Sequence, residues 1–571
     1  MAILRANHLH LKKAKYFIAQ KSDQPFWLFW GFWLVTILFY AMAYKGGFNN
    51  DLVDFLYYFR ISTYEEFVSP PGHRMYLGVN TFQYLLIYLF DKQPLPWFLV
   101  FTALHALTAL TLAHFFKKLF LFWEGTYNKW VILTGTLFWL LTPLAVETVT
   151  WKACSHYMCS MIMMFSILSW FIKYLQTPKV STLLSILFVF ALSTVFLELF
   201  FLTPVFLVII LVTAAYCKKL GKNTFTGVIL KVLVPVGIIW GLYFLLSGNL
   251  NGESYDRYLS KSENVLNPLF ISGRVGRYVL HIYFMEYFLP IDMKRSIYNF
   301  LDMQVVSGII GLLIAFLLIW NFFRMRKASA RNQLLSVLFL LFVASFIILL
   351  PMWFYEEFSS QGGRYYYLSG AWGYMLLACI IFRLPFAFNI RLGIAGAYLC
   401  CCMAGTLYLV KNVRDAERIL SNLLDSFGKW EQKGDVFLLN LPIYHRGVGL
   451  IGAVDSSNFV YHLDVLRDKK VKANVYDVSS FNMIDRWDGA HVQVMDSMQL
   501  KVTLNQYGSW WWYKFQGASD YENEKYKVTF VNNGFSYLIQ FKQPLSPATV
   551  ILFQSGGLWK EVDMSKKEEQ W

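Results

Sequence analysis

The chain has 571 residues, of which 57% are hydrophobic, 19% aromatic and only 15% charged, with a mean hydropathy of +0.43. A soluble chain of this length would divide into domains with a more polar surface, whereas here the apolar surplus collects in separate runs, each able to cross a bilayer at roughly 20 residues per span. The formal net charge of +15 argues against a nucleic-acid partner by its placement: Lys and Arg stand at the ends of apolar runs, as the positive-inside rule requires, and no soluble segment interleaves a basic stripe with stacking aromatics.

In chain order, residues 1–25 are basic (Arg5, Lys12, Lys13, Lys15, Lys21) and are expected on the cytoplasmic side. The apolar run 26–44 is too long for a cleaved signal core and lacks a small-residue cleavage site, so it reads as a retained anchor. An outer loop over 45–94 follows, with Asn49, Asn50, Asp51 and Asp54, then Pro70-Pro71-Gly72-His73-Arg74. Its apolar stretch 75–90 is short, and Lys117 and Lys118 must close the next span inside, so 75–90 reads as a helix lying on the outer face. Spans are expected at 95–116, 130–146, 157–172, 181–197, 199–217 and 228–246. A second outer loop, 247–303, contains the apolar stretch 275–289 with Arg274, Arg277, His281 and Glu286 in or beside it, an interfacial or re-entrant helix. Spans at 305–323, 334–351, 367–382 and 392–410 complete a transmembrane domain over 26–410, about eleven spans in all.

A connector, 411–429, leads into a soluble domain over 430–571, expected on the extracytoplasmic side. Its runs 527–530 and 536–539 alternate as strands do, and Asn532-Asn533-Gly534 between them is a hairpin signal. Residues 435–439 and 550–553 read as further strands, so the domain is α/β or mainly β. The Gly447-Val448-Gly449-Leu450-Ile451-Gly452 stretch fits a bare GxGxxG pattern but has no clear βαβ unit around it, and reads as a turn. The seven cysteines (Cys154, Cys159, Cys217, Cys379, Cys400, Cys401, Cys402) include no CxxC pair, and neither a structural disulfide nor a cysteine-ligated metal is expected.

The topology sorts the polar residues. Asp51, Asp54, His73, Arg74, Glu147, His156, Glu198, Arg274, Arg277, Glu356, Glu357 and Arg364 fall at outer span ends or in outer loops, whereas the inner boundary carries mainly Lys and Arg. Ionisable groups held at one membrane boundary by several helices point to a shared site. His105, in mid-span, is expected to bond a neighbouring helix. The Trp510-Trp511-Trp512 run either stacks on sugar faces or packs as a strand edge.

The arrangement resembles the GT-C glycosyltransferases, multi-span enzymes that take a sugar from a polyprenyl-phosphate carrier on the outer membrane face, and within them the bacterial relatives of the transmembrane O-mannosyltransferases. The resemblance rests on Asn50-Asp51 with Asp54, on His73-Arg74, and on Leu104-His105-Ala106-Leu107. It continues through Val146-Glu147-Thr148-Val149-Thr150-Trp151, Glu198 before Pro204, and Gly363-Arg364-Tyr365-Tyr366-Tyr367. The chain departs from the family where Ser155 stands in place of an Arg, where Leu197 replaces the Lys of a Lys-Glu pair, and where Gly363 replaces the acid of a Glu-Arg-Tyr run.

The resemblance implies a GT-C-like all-α membrane fold and transfer of a sugar from a lipid-phosphate donor to a protein or glycolipid acceptor. Such transfer needs a base for the acceptor hydroxyl, with Asp51 the first candidate and Asp54 the second. It also needs cations for the leaving phosphate: Arg364 first, for its bidentate grip, then Arg74, Arg274 and Arg277. His73, Glu147, His156, Glu198, Glu356, Glu357 and Tyr365 are expected to support the donor and acceptor sites. Glu147 is further allowed as a ligand for a divalent cation, Mg2+ or Mn2+. Lipid contact is the alternative role of Arg274 and Arg277. No Asn-x-Ser/Thr acceptor occurs in the chain, which agrees better with a bacterial cytoplasmic (inner) membrane than with the endoplasmic reticulum. Two rival readings stand beside the enzyme: a non-enzymatic scaffold on the same fold, with a protein partner bound through 430–571, and a lipid-linked sugar flippase or transporter.

Overall fold

The computed structural model describes residues 24–49, 51–69, 77–196, 201–248, 267–284, 289–347, 363–451, 458–504, 510–511, 519–531 and 535–570. The helical part opens with α1 (Pro25–Tyr40), which carries no charge and has its proline in the first turn, where no intrahelical N–H is required. Beyond a 3-10 turn (Ala41–Ala43) come α2 (Asp51–Ile61), the short α3 (Tyr64–Val68) and α4 (Leu77–Phe90). A capping box starts α3: the Thr63 hydroxyl accepts from the Glu66 N–H, and the Glu66 carboxylate accepts from the Thr63 N–H. α5 (Pro94–Glu124) ends on Gly125, whose φ of +73° is the left-handed cap that glycine tolerates best. α6 (Lys129–Leu140) starts on an Asn128 cap and stops ahead of Pro143, which cannot extend it. The chain resumes helically in α7 (Ala145–Thr150) and α8 (Ser155–Gln176).

There follow α9 (Val180–Ser193), α10 (Leu202–Tyr216), and α11 (Lys222–Val228), which runs through a π turn (Ile229–Leu233) into α12 (Val234–Gly248). Next come α13 (Pro268–Tyr283), α14 (Ile291–Asp302), α15 (Gln304–Met325), α16 (Ala330–Ser345), α17 (Gly363–Ile381) and the long α18 (Phe388–Ser426).

Among the described residues, six helices are long and apolar enough to cross a bilayer: Pro25–Ala43, Pro94–Glu124, Ser155–Gln176, Lys222–Tyr243, Gln304–Met325 and Phe388–Lys429. That is fewer than the spans expected from the sequence. The expected spans at 130–146, 181–197, 199–217 and 334–351 are represented by shorter apolar helices, α6, α9, α10 and α16. Pro143 accounts for the break in the first of these, and the far ends of the others reach residues outside the described set. The span expected at 367–382 falls on α17. The apolar character of the bundle surface is clearest on α15, where Val305, Ile309, Leu312 and Phe316 are all exposed. Water would penalise such a face; lipid would not, and a chain with these helices is a membrane protein.

Inside the bundle α5 packs against α1 and α8, and α17 against α6 and α16. Trp97, Trp123, Trp139 and Trp372 are fully buried, and Trp372 meets Phe115, Phe116, Phe165 and Phe206 edge to face or tilted. His105 bridges helices as expected: one ring nitrogen lies 2.6 Å from the Tyr367 hydroxyl and the other 3.0 Å from the Leu140 carbonyl oxygen.

The C-terminal region is a small sheet-rich domain. Strands β1 (Asp435–Leu438), β2 (Leu441–His445) and β3 (Val448–Gly449) precede α19 (Asn458–Arg467), then β4 (Asn474–Asp477), β5 (Ser480–Met483), β6 (Ala490–Val494), β7 (Gln499–Leu504) and β8 (Trp510–Trp511). β9 (Tyr521–Glu522), β10 (Tyr526–Val531), β11 (Ser536–Phe541), β12 (Val550–Ser555) and β13 (Leu558–Glu561) close the chain. One sheet has the order β13-β12-β1-β4, with β1 parallel to both β12 and β4; a second, antiparallel, runs β6-β7-β11-β10-β9; a third runs β3-β2-β5-β8. The GxGxxG stretch is a hairpin here: Arg446 and Gly447, at φ +50° and +79°, make the tight turn between β2 and β3. Trp510 and Trp511 pair as the edge strand β8 against β5.

The two regions share α18. Its first half packs in the bundle, while Leu420, Leu423, Leu424 and Phe427 join Val436, Leu438, Phe459 and Leu463 in the core of the domain.

Candidate functional site at the domain-facing end of the bundle

The loop before α2 fixes where that helix can lie. Gly47 has a φ of +88°, and a Cβ there would fall 1.9 Å from the Thr150 carbonyl oxygen, so only glycine lets the loop press on the end of α7. The Lys152 N–H donates to the Gly47 carbonyl (3.4 Å), and the Trp151 indole N–H reaches the Asn49 carbonyl at 3.4 Å. The Asn49 amide in turn donates to the Gly449 carbonyl of the soluble domain. Bundle, loop and domain thus meet at one point, immediately before Asp51.

Asp51 is the first residue of α2, and its side chain lies outside the described set. Asp54, one turn on, is half-buried and accepts a hydrogen bond from the Tyr461 hydroxyl of α19. Burial, reinforced by the Asp54 charge, raises the Tyr461 phenol well above its ordinary range, so it stays a donor. Tyr57 packs on the same tyrosine at 4.6 Å between ring centres. Arg60 donates to the carbonyls of Asp464 (3.2 Å) and Val465 (3.0 Å) and pairs with Asp468 at 2.6 Å; Lys92 pairs with the other oxygen of Asp468. Two cations hold that carboxyl below the usual aspartate range.

A second cluster lies on the other side of Trp151. The Arg364 backbone N–H donates to one Glu147 oxygen (3.0 Å), and its guanidinium donates to the other. A further guanidinium nitrogen donates to the Tyr365 hydroxyl at 2.8 Å, and the group lies over the Trp151 and Tyr365 rings at 4.6 and 4.5 Å. His156, at the start of α8, stacks at a tilt on Tyr157, which meets Tyr365 edge-on at 6.3 Å.

Two of the positions that differ from the expected motifs are closely packed. A Cβ at Gly363 would lie 3.1 Å from the Leu144 carbonyl oxygen, a tight approach, and Glu147 supplies the carboxylate for Arg364 from another helix. Ser155 is fully buried and accepts from the Gln83 amide at 2.9 Å. Leu197 lies outside the described residues.

Of the other expected residues, Arg277 pairs with Asp302 and lies over Tyr298, and Arg274 is buried over Phe270 at 5.0 Å. Both turn toward the α13–α14 region rather than toward Trp151. His73, Arg74, Glu198, Glu356 and Glu357 lie outside the described residues. Glu147 accepts from Arg364 through both oxygens, and among the described residues no group of three or more His, Cys, Asp or Glu side chains is placed to hold a metal ion.

Sequence reasoning missed Lys152. It is fully buried in the turn between α7 and α8, its ammonium lies over the Phe101 ring at 5.3 Å, and it has no hydrogen-bond partner among the described residues. Burial pushes it down to about 7. The available signal was a lone lysine directly after Trp151, between two apolar runs. Tyr461 and Arg60 were missed for a different reason, since only the docked domain gives them their partners.

No known protein-family model matches this chain, and no curated protein matches it.

Proposed function

We propose that this chain is a GT-C-type glycosyltransferase with an eleven-span topology and a cytoplasmic N-terminus, acting at the outer face of a bacterial cytoplasmic membrane. It would move a sugar from a polyprenyl-phosphate carrier to a protein or glycolipid acceptor. The observation that carries the reading is the role of Trp151, whose indole N–H holds the loop leading to Asp51 while its ring carries Arg364. Acid-bearing helix and buried arginine are therefore neighbours at one end of the bundle, the arrangement that displacement of a lipid phosphate requires.

In the proposed step the acceptor oxygen bonds to the anomeric carbon as the carbon–oxygen bond to phosphate breaks. The hydroxyl proton passes to a carboxylate, and the phosphate leaves with the bonding pair. Asp51 is preferred as base because Asp54 is already bonded to Tyr461. Arg364 is held in a fixed orientation by Glu147 and Tyr365 and is the cation on which the reading relies. Pre-set donors of this kind stabilise developing charge at no reorganisation cost.

The scaffold reading is favoured by one observation: Glu147 already compensates the Arg364 charge, as in a structural ion pair. A transfer assay with purified wild type and Asp51→Asn, native polyprenyl-phosphate sugars and an acceptor extract separates the two. Donor consumption by wild type alone supports the enzyme and Asp51 as base. Equal consumption by both removes Asp51 from that role, and neither consumption nor donor binding by wild type overturns the transferase reading.

A further inference from the structure

Where the C-terminal domain meets the bundle the chain forms a half-open cleft of ≈190 Å³. Its floor is the 45–49 loop and the start of α5, its wall is one face of α18, and its roof comes from Gly449 and the end of α19. The size is below the roughly 300–1,000 Å³ of sites that enclose a drug-sized molecule, so it suits a headgroup rather than a whole ligand.

The charges lining it are unbalanced: Lys45, Lys92 and Arg467 face a single carboxylate, Glu417, with Leu420 and Leu424 giving an apolar wall. The partners of two of these cations stand outside the lining. Asp468 holds Lys92, and Asp425 holds Arg467 at 2.7 Å, with Ser421 accepting from the same guanidinium at 2.7 Å. These contacts fix the cations in place without filling the space between them. Lys45 is exposed and forms no ion pair among the described residues; its ammonium rests 5.7 Å from the Tyr44 ring centre. The roof is held by Arg60, Lys92 and Asn49, so the walls of this half-open cleft are fixed by the docking of the domain on the bundle.

We propose that this cavity binds a phosphate group together with the glycerol or sugar unit that carries it. Three cations from three separate segments converge on a space that a phosphate would enter with more charge than a carboxylate brings, and Arg467 offers the planar fork that phosphate oxygens match. The apolar wall takes the carbon skeleton. The source is either an anionic lipid headgroup or a soluble phosphate ester. The site is distinct from the Glu147–Arg364 cluster and does not rest on the transferase reading.

The full chain in phosphatidylcholine nanodiscs would be titrated with glycerol phosphate by calorimetry. In parallel, nanodiscs containing a minority of phosphatidylglycerol would be examined for retained lipid by native mass spectrometry. Saturable binding of the soluble ester assigns a free phosphate ligand, and selective retention of phosphatidylglycerol assigns a headgroup; either supports the site. Lys45→Gln is expected to weaken binding about tenfold, the loss of one charge-assisted contact, with recovery in Lys45→Arg. Ser421→Phe is expected to abolish binding by filling the space. The proposal is overturned if wild type retains neither probe, or if Lys45→Gln and Ser421→Phe bind as wild type does. Because the readout is binding, a negative transfer assay leaves it untouched.

Discussion

Replacing Glu147 by Gln gives the most quantitative test of the cluster around Trp151. The carboxylate accepts both the Arg364 N–H and its guanidinium, and the two side chains are only 12% and 20% exposed. Removing one partner of a buried pair strands the other charge at roughly 3–5 kcal/mol. Residual exposure and the glutamine oxygen, which still accepts the backbone N–H, reduce this to about 2 kcal/mol. Arg364→Met removes the guanidinium contact from the other side while its backbone N–H still donates to Glu147, and with both changes made no charge is stranded. The double variant should therefore be more stable than the sum of the singles predicts, with a coupling of about 2 kcal/mol. The assay is a double-mutant cycle on unfolding midpoints in one detergent, with Trp151 environment followed by fluorescence. Additivity within about 0.5 kcal/mol would refute the claim that the pair acts as a unit.

Arg60→Ala removes two contacts to α19 and one to Asp468 just beyond it and should loosen the domain by about 1–2 kcal/mol, seen as faster amide exchange in both α2 and α19 with β10 and β11 unchanged. Gly47→Ala puts a Cβ onto the Thr150 carbonyl at a positive φ and should lower the melting temperature by the equivalent of at least about 2 kcal/mol, with transfer lost alongside. His445 is buried, and that burial together with Arg446 pushes it down to about 4. Its neutral form is the one that folds. Stability should be full above its unfolded value near 6.5, fall as pH drops from there toward 4, and be lower by roughly 3 kcal/mol at the bottom of the window; His445→Phe should flatten the profile measured by thermal melting.

Patterns with a short period could be read directly from the residues. The runs 527–530 and 536–539 read as alternating strands and 435–439 and 550–553 as short apolar ones, and β10, β11, β1 and β12 lie there. The long apolar runs likewise correspond to helices, because burying or lipid-solvating twenty apolar residues allows little else. Span lengths were less legible: Pro143 cuts one expected helix short, and nothing local fixes where α9 or α10 begins and ends. Among the chemical groups, Glu147 and Arg364 were both singled out, but not as each other's partner, because their meeting depends on the tight passage of Gly363 past Leu144. Arg60 and Asp468 are 408 residues apart. No sequence pattern pairs them, since their contact follows from tertiary docking alone. Lys152 follows Trp151 between two apolar runs, and only the folded bundle, which brings the Phe101 ring to its ammonium and the Gly47 carbonyl to its backbone N–H, shows it buried.

The continuity of α18 sets a length scale for whatever the soluble domain meets. At 39 residues it is about 58 Å long, nearly twice the roughly 30 Å of a hydrocarbon core, and its final turns are built into the domain rather than hinged to it. A helix with no break cannot act as a tether. Together with the contacts of Arg60 and Asn49 to the domain, the unbroken helix sets the bearing of the domain on the bundle.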